Sequence, residues 1–364
     1  MADFFHGLLE LVPAMPESLD PGLPPAPWTV LAVFSALAGA CIGSFLNVCI
    51  YRIPLDQSVV RPGSHCMSCG APIKWYHNIP VLSYFMLRGK CARCGARFSF
   101  RYAAVELLVA LLFAAVFCMW PPDGASAPPF GMRLLPLARG AHGAMPYPPW
   151  AVPAYWVFLS GLVVGTFVDF DHCIIPDSVT IGGVAAGLAL SALVPALQTW
   201  IAIVPDGPFG VLGSSVVPDG GFGAMRAVAV VPATRGGALL RSAIGAAAGY
   251  ALLQSVRKGG TWWMRRRGRI GEDEEAMGYG DVKLAAAIGA FLGWQGAVFS
   301  LVAGSLGGSA FALPALVARR KGPLARLPFG PWLSLGAAVW VFWGHRLLVA
   351  YLTASAPWSV DIFS

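Results

Sequence analysis

Hydrophobic and polar positions fall into long blocks along this chain. Apolar runs occupy 28–50, 102–120, 151–168, 179–204, 239–256, 284–318 and 332–352. A membrane-spanning helix needs about 20 consecutive apolar residues, and these runs predict such helices. The run 284–318 is Gly-rich and too long for one pass, which predicts two short passes bent near Trp294. That gives eight spans, or seven if this run crosses once with a re-entrant piece. The polar block 51–101 is long enough for a small domain between the first two spans. Segments 121–150 and 205–238 are rich in Gly, Pro and Ala and show neither helical nor strand periodicity, so irregular loops are expected there.

Composition agrees with a membrane protein and excludes a soluble one. Of the 364 residues 57% are hydrophobic and 12% charged, and mean hydropathy is +0.65. A soluble domain carries about 25% charged residues. The expected fold class is therefore an all-α polytopic membrane protein with about eight transmembrane helices.

The net charge of +7 reads as orientation and contact with membrane lipid, not as nucleic-acid binding. Nineteen of the 25 basic residues lie in three segments, 51–101, 257–283 and 319–330. Eight spans put all three on one face, and the positive-inside rule makes that face cytosolic and both termini external. Seven spans would put the third on the wrong face. Segments 121–150 and 205–238 then become outer loops. Residues 1–27 hold four acids and no basic residue, so a lead-in to the first span is expected, not a cleavable signal. Residues 353–364 read as a tail.

Two aspartates stand where apolar runs end or begin. Asp169 closes the third span, and Asp281 stands three residues before the run 284–318, in Gly278-Tyr279-Gly280-Asp281. Acids at the edge of a bilayer are costly and tend to be functional and paired. The eight-span layout brings both to the cytosolic face, although they are 112 positions apart. Two close carboxylates share a proton, so one can activate water while the other protonates a scissile carbonyl. Gly278 and Gly280 would let an extended peptide backbone approach. The helix expected after Asp281 would favour its ionised form. The plain alternative is that Asp281 is an N-cap.

Cys66 and Cys69 are separated by 21 residues from Cys91 and Cys94. Two CxxC pairs at such spacing form a zinc-ribbon pattern, with Gly70 and Gly95 supplying the tight turns. A reducing cytosol disfavours two disulfides, so a structural Zn2+ is expected. Cys41, Cys49 and Cys118 read as packing residues, and Cys173 and His172 as polar neighbours of Asp169. Asn47 and Glu106 sit near the cytosolic ends of the first two spans. They line a substrate groove or join helices; the pattern leaves both open.

Taken together these segments resemble the type IV prepilin peptidase family, the prepilin leader peptidase/N-methyltransferases. The resemblance rests on Gly43 through Pro54, both CxxC pairs, Asn78 through Tyr84 and Leu87 through Cys91. It extends through Arg101-Tyr102, Val105 through Leu108, Asp169 through Asp177, Gly278 through Leu284, and Pro328-Phe329-Gly330-Pro331. It implies an aspartic endopeptidase of the bacterial inner membrane with Asp169 and Asp281 as catalytic residues, Asp169 lying eight residues before Asp177. It implies cytosolic removal of leaders from type IV prepilins and pseudopilins. It also implies N-methylation of the new terminus from S-adenosylmethionine, for which the chain shows no glycine-rich fingerprint. On this reading 102–352 is the peptidase core. Two other classes compete: an ion-coupled transporter with a zinc-stabilised loop, and a non-enzymatic membrane assembly factor.

Overall fold

The computed structural model describes residues 26–118, 151–198, 200–204, 227–231, 234–318, 328–344 and 347. The expected lead-in up to residue 25, loop 121–150, most of 205–238, the basic residues of 319–327 and the tail lie outside them.

The helices are α1 (Ala26–Arg52), α2 (Leu82–Met86), α3 (Arg101–Cys118), α4 (Val152–His172), α5 (Asp177–Leu193), α6 (Arg235–Arg266), α7 (Tyr279–Ala318) and α8 (Gly330–Val339). α8 continues into a π-helical turn, Trp340–Gly344. Five helices are long and apolar enough to cross a membrane: the stretches Val30–Leu55, Arg101–Cys118, Val152–His172, Arg235–Arg266 and Tyr279–Phe311. The protein is a multi-pass helical membrane protein. Of the eight expected spans, α7 holds two, α5 is a shorter apolar helix of 17 residues, and α8 has only 10.

α7 is broken by Gly293, whose φ of 71° and ψ of 176° suit glycine alone. The packing on either side shows that the chain reverses there. Before the break, Ala285 and Gly289 lie against Gly249 and Gly245 of α6; after it, Gly296, Ser300 and Gly304 lie against Trp340, Gly336 and Trp332. The second arm therefore returns toward the end where α7 began. The break frees helix carbonyls that need donors. Gln198, 2% exposed, donates from Nε2 to Ala290 O (2.8 Å) and Phe291 O (3.2 Å). Ser242 Oγ also donates to Ala290 O at 2.7 Å. The expected bend near Trp294 is thus one residue earlier, with a buried glutamine under it.

Small residues let the arms touch. A Cβ on Gly245 would lie 2.1 Å from Gly289 O, and one on Gly289 2.0 Å from Gly245 O. Without a hydrophobic driving force between helices in lipid, such close backbone approach supplies association. Gly39 and Gly43 do the same for α1 against Val109 and Glu106 of α3. α4 lies between the two assemblies. Its Val163, Val164 and Val168 pack with Leu46, Val105 and Phe113. Its Phe158, Leu159 and Leu162 pack with Leu253, Ile288, Phe291 and Leu333. The helix carrying Asp169 thus links the two clusters.

Two expectations are corrected. The sequence predicts a fourth span running to residue 204, but α5 ends at Leu193. Pro195, two residues on, restricts the residue before it away from helix. Trp200–Val204 (β1) instead pairs antiparallel with Ala227–Val231 (β2), Trp200 opposite Val231. Both strands are rich in β-branched residues, which favours a sheet, so the 205–238 region is not wholly irregular. The apolar run predicts that the fifth span ends at Val256, but α6 runs ten residues further. Its start is capped by Thr234, whose side chain accepts from Gly237 N. Its extension is held by an ion pair of Arg257 with Glu275. Arg266 and Arg267 stack on Trp262 and Trp263, 4.4 and 4.1 Å from the ring centroids.

Candidate active site

Asp169 lies in the last turn of α4, which ends at Cys173 in the left-handed conformation, its N–H bonded to Asp169 O. Asp281 lies in the first turn of α7. Both are more than nine-tenths buried, at 5% and 8% exposure, and close enough for their charges to interact directly. One side chain shows how they are brought together. Ile175, in the short link between α4 and α5, is wedged between two glycines. A Cβ on Gly280 would lie 3.2 Å from Ile175 Cβ, and one on Gly330 2.9 Å from Ile175 Cδ1. Gly280 precedes Asp281, and Gly330 holds Asp169.

The hold on Asp169 is a backbone hydrogen bond. Gly330 N, at the start of α8, donates to Asp169 Oδ2 at 3.1 Å. A first-turn N–H is unpaired within its own helix and carries the positive end of the helix dipole, so it suits a carboxylate. The sequence led us to expect such help for Asp281, but the structure gives the hydrogen bond to Asp169. Asp281 Oδ1 is buried and has no hydrogen-bond partner among the described residues. An orphaned buried oxygen beside a second carboxylate suits a site that admits a water or a peptide group.

The other nearby aspartates are committed elsewhere. Arg101 makes a two-pronged pair with Asp171, at 2.6 and 2.7 Å, and donates to Phe167 O. Lys283 Nζ lies 2.5 Å from Asp177 Oδ1. These pairs tie α3 to α4 and α5 to α7 beside the two buried acids. Neither pairing was legible in the sequence, although Arg101 and Lys283 stand inside the segments singled out there.

The remaining candidates have varied surroundings. Gly278 lies next to Asp281, a Cβ there falling 3.4 Å from Oδ2. Asn47 Nδ2 donates to Tyr102 O at 3.0 Å, joining α1 to α3. Glu106 Oε2 accepts from Val81 N at 2.6 Å. Val81 has φ 61° and ψ −52°, a strained turn closed by Leu82 N to Pro80 O. None of these contacts joins Asn47 or Glu106 to the aspartate pair; they bind helices and the 51–101 segment together. Cys173 and His172 are exposed.

The four cysteines gather as the spacing predicts. Their sulfurs lie within 4.8 Å of one another, and the group could hold a metal ion. Cys66 Sγ and Cys94 Sγ are 3.8 Å apart, the edge of a tetrahedron with metal–sulfur bonds of about 2.3 Å. The two knuckles repeat one pattern. Cys66 N bonds Ala71 O and Gly70 N bonds Cys66 O; Cys91 N bonds Ala96 O and Gly95 N bonds Cys91 O. Gly70 and Gly95 take φ of 66° and 72°. Backbone N–H groups of Cys69 and Ser68 aim at the Cys66 sulfur and push its thiol down to about 6. Those of Cys94 and Arg93 lower Cys91 likewise. The Ala96 backbone lowers Cys94 as well, but the neighbouring cysteine sulfurs outweigh it and push that thiol up to about 11, so four thiolates together call for a cation at their centre.

Two family models match segments of the chain, one holding the four cysteines and the other Asp281, with Asp169 between them. Residues 37–120 match the Bacterial Peptidase A24 N-terminal domain, and residues 221–313 match the Type IV leader peptidase family. A prepilin leader peptidase/N-methyltransferase of Aeromonas hydrophila is 30% identical over 356 residues, 91% of this chain and 96% of that protein. One from Pseudomonas putida is 29% identical over 349 residues, covering 88% and 96%. One from Myxococcus xanthus is 44% identical over 165 residues, covering 44% and 41%. No solved structure matches the chain.

Proposed function

The chain belongs to the prepilin leader peptidase/N-methyltransferase family, and we propose that Asp169 and Asp281 are the acid/base pair with which it cuts the leader from type IV prepilins or pseudopilins. The observation that carries this is the pair itself: two carboxylates on different helices, each more than nine-tenths buried, at one end of the bundle. Asp171 and Asp177 are occupied by Arg101 and Lys283, and among the described residues no cation pairs with Asp169 or Asp281. Two such carboxylates share one proton. Asp169, hydrogen-bonded by Gly330 N–H, serves as the ionised base, and Asp281, with its orphaned Oδ1, holds the proton. Asp169 takes a proton from water as the water oxygen attacks the scissile carbonyl carbon, while Asp281 gives its proton to the carbonyl oxygen. The C–N bond of the resulting diol breaks as the leaving amine takes the proton from Asp169 and a diol hydroxyl returns one to Asp281, which restores the pair.

Incubating the purified protein in detergent with a prepilin and S-adenosylmethionine, then weighing the products by mass spectrometry, tests this reading. Loss of the leader and gain of one methyl group are expected; an intact prepilin overturns it.

The metal site belongs to the fold, not to the reaction. We assign the Cys66, Cys69, Cys91 and Cys94 cluster to a structural zinc, which holds together a 51–101 segment too small for a core of its own. Elemental analysis should find one zinc per chain, lost in Cys66→Ser or Cys94→Ser. A chelator should inhibit only as this segment unfolds; instant inhibition with the segment intact contradicts the assignment. Methyl transfer comes with the family, and S-adenosylmethionine would be its donor. The cavity at the end of α6 does not fit it, since cations line that cavity and the donor is itself a sulfonium.

A prepilin offers a basic leader followed by an apolar helix, by the family resemblance. We place the scissile bond at the inner-membrane boundary, on the cytosolic face, where α4 ends and α7 begins. Phe170 and Tyr279 flank the aspartates and are exposed, at 55% and 41%. Cysteines introduced at either, in a Cys173→Ser background, should react with a membrane-impermeant thiol reagent in inside-out vesicles only. Labelling from the outer face reverses the orientation.

A further inference from the structure

The end of α6 that projects past the fifth apolar run carries a cavity of about 360 Å³. Arg257, Lys258, Arg265 and Arg266 line it, with Thr261 and Trp262 between them and Glu275 as its one acid. Glu275 is paired with Arg257. Arg265 donates to the backbone of Glu274 at 3.1 Å. Among the described residues no carboxylate pairs with Lys258, Arg265 or Arg266. The cavity therefore has an excess of three positive charges and calls for an anion with several acceptor oxygens.

Its position says what kind. Trp262 and Trp263 are exposed, and Arg266, Arg267 and Arg269 sit over their rings. Tryptophan with arginine at the end of a spanning helix marks the headgroup layer of a bilayer. Basic pockets at that level on the cytosolic side suit anionic lipid headgroups. We propose that this cavity binds the phosphate of an anionic phospholipid headgroup. The proposal rests on the cytosolic orientation given above, but not on the identity of the catalytic residues.

Occupancy bears on the segment that carries Asp281. Thr261 Oγ1 accepts from Ala276 N at 3.1 Å, two residues before Gly278. The Arg257 guanidinium lies over the Tyr279 ring, 4.9 Å from its centroid. An anion among the four cations relieves their mutual repulsion and leaves Arg257 free to keep both Glu275 and Tyr279 in place.

Native mass spectrometry of the full-length, zinc-loaded protein, titrated in detergent with phosphatidylglycerol, phosphatidylcholine or inorganic phosphate, tests the site. Phosphatidylglycerol should be retained and phosphatidylcholine not. Each cation removed near a membrane surface weakens anionic lipid binding about five-fold. Lys258→Gln with Arg266→Gln should therefore lose affinity about 30-fold, while Arg61→Gln with Arg97→Gln, on the 51–101 segment, should not. If the double variant melts early in phosphatidylcholine, each single variant is read instead, with the five-fold loss expected. Unchanged phosphatidylglycerol binding in these variants overturns the proposal. So does its displacement by inorganic phosphate at equal concentration, which would mark a soluble-phosphate site.

Discussion

Asparagine in place of Asp281 is expected to give a folded, inserted protein that no longer cuts a prepilin. The substitution keeps the shape of the side chain and removes the shared proton. Because Asp281 Oδ1 has no partner among the described residues, the fold loses no hydrogen bond there. Asp169→Asn keeps an oxygen for Gly330 N–H and should also fold. General acid–base catalysis contributes roughly 10²–10⁴-fold per group, so each variant should fall by at least about 10²-fold. Asp171→Asn breaks the pair with Arg101, which is about a third exposed on both sides. Such a surface pair contributes about 0–1 kcal/mol, and Arg101 keeps its bond to Phe167 O. Cleavage should then fall only a few-fold. The measurement is the initial rate of leader loss by mass spectrometry, with melting temperature as the folding control. Near-normal cleavage by Asp281→Asn would sink the aspartic mechanism.

The sequence speaks plainly where a physical cost is written into single residues. A charged side chain in an apolar run is expensive wherever the helix goes, so Asp169 and Asp281 stood out. Their shared face followed from counting spans. Four cysteines in two knuckles need only local spacing and two glycines, and they are found as expected. The elements misread are those fixed by distant partners. Nothing near residue 257 says that a helix continues, because Glu275 and the tryptophan stacking hold it. The strand pairing of 200–204 depends on a segment more than 20 residues away, although Pro195 was a local signal against helix. Gln198 is a single polar residue in an apolar stretch. Only the fold reveals that it satisfies carbonyls freed by a glycine 95 positions later. Asn47 and Glu106 show the same limit: a polar residue at a helix end is visible, but whether it meets substrate or a neighbouring backbone is set by packing. Gly280 was read as room for substrate, and the structure puts Ile175 in that room.

Gly330→Ala should be nearly as damaging as losing an aspartate, although it removes no acidic group. A methyl at this position falls 2.7 Å from Asp169 Oδ2 and 2.9 Å from Ile175 Cδ1, both well inside van der Waals contact. Pro331 follows at once in the first turn of α8, and its fixed φ limits how far the backbone can yield. The side chains must therefore move. If Asp169 rotates away it loses the Gly330 hydrogen bond; if Ile175 moves it presses on Gly280, against which it packs so closely that a Cβ there would lie 3.2 Å from Ile175 Cβ. Either shift separates the carboxylates, and a misplacement of about 1 Å costs on the order of 10²-fold in rate. Cleavage should fall by that factor with prepilin binding retained, so the loss appears in kcat and not in KM. Gly280→Val should fall at least as far, because its Cβ already meets Ile175. Gly161→Ala serves as the control: it lies on α4 two turns before Asp169 with nothing within 4 Å of the added methyl, and it should cleave at the normal rate. Full activity in Gly330→Ala would mean that Asp169 does not depend on α8 for its position, and the assignment of Gly330 N–H as the group that holds the base would fall with it.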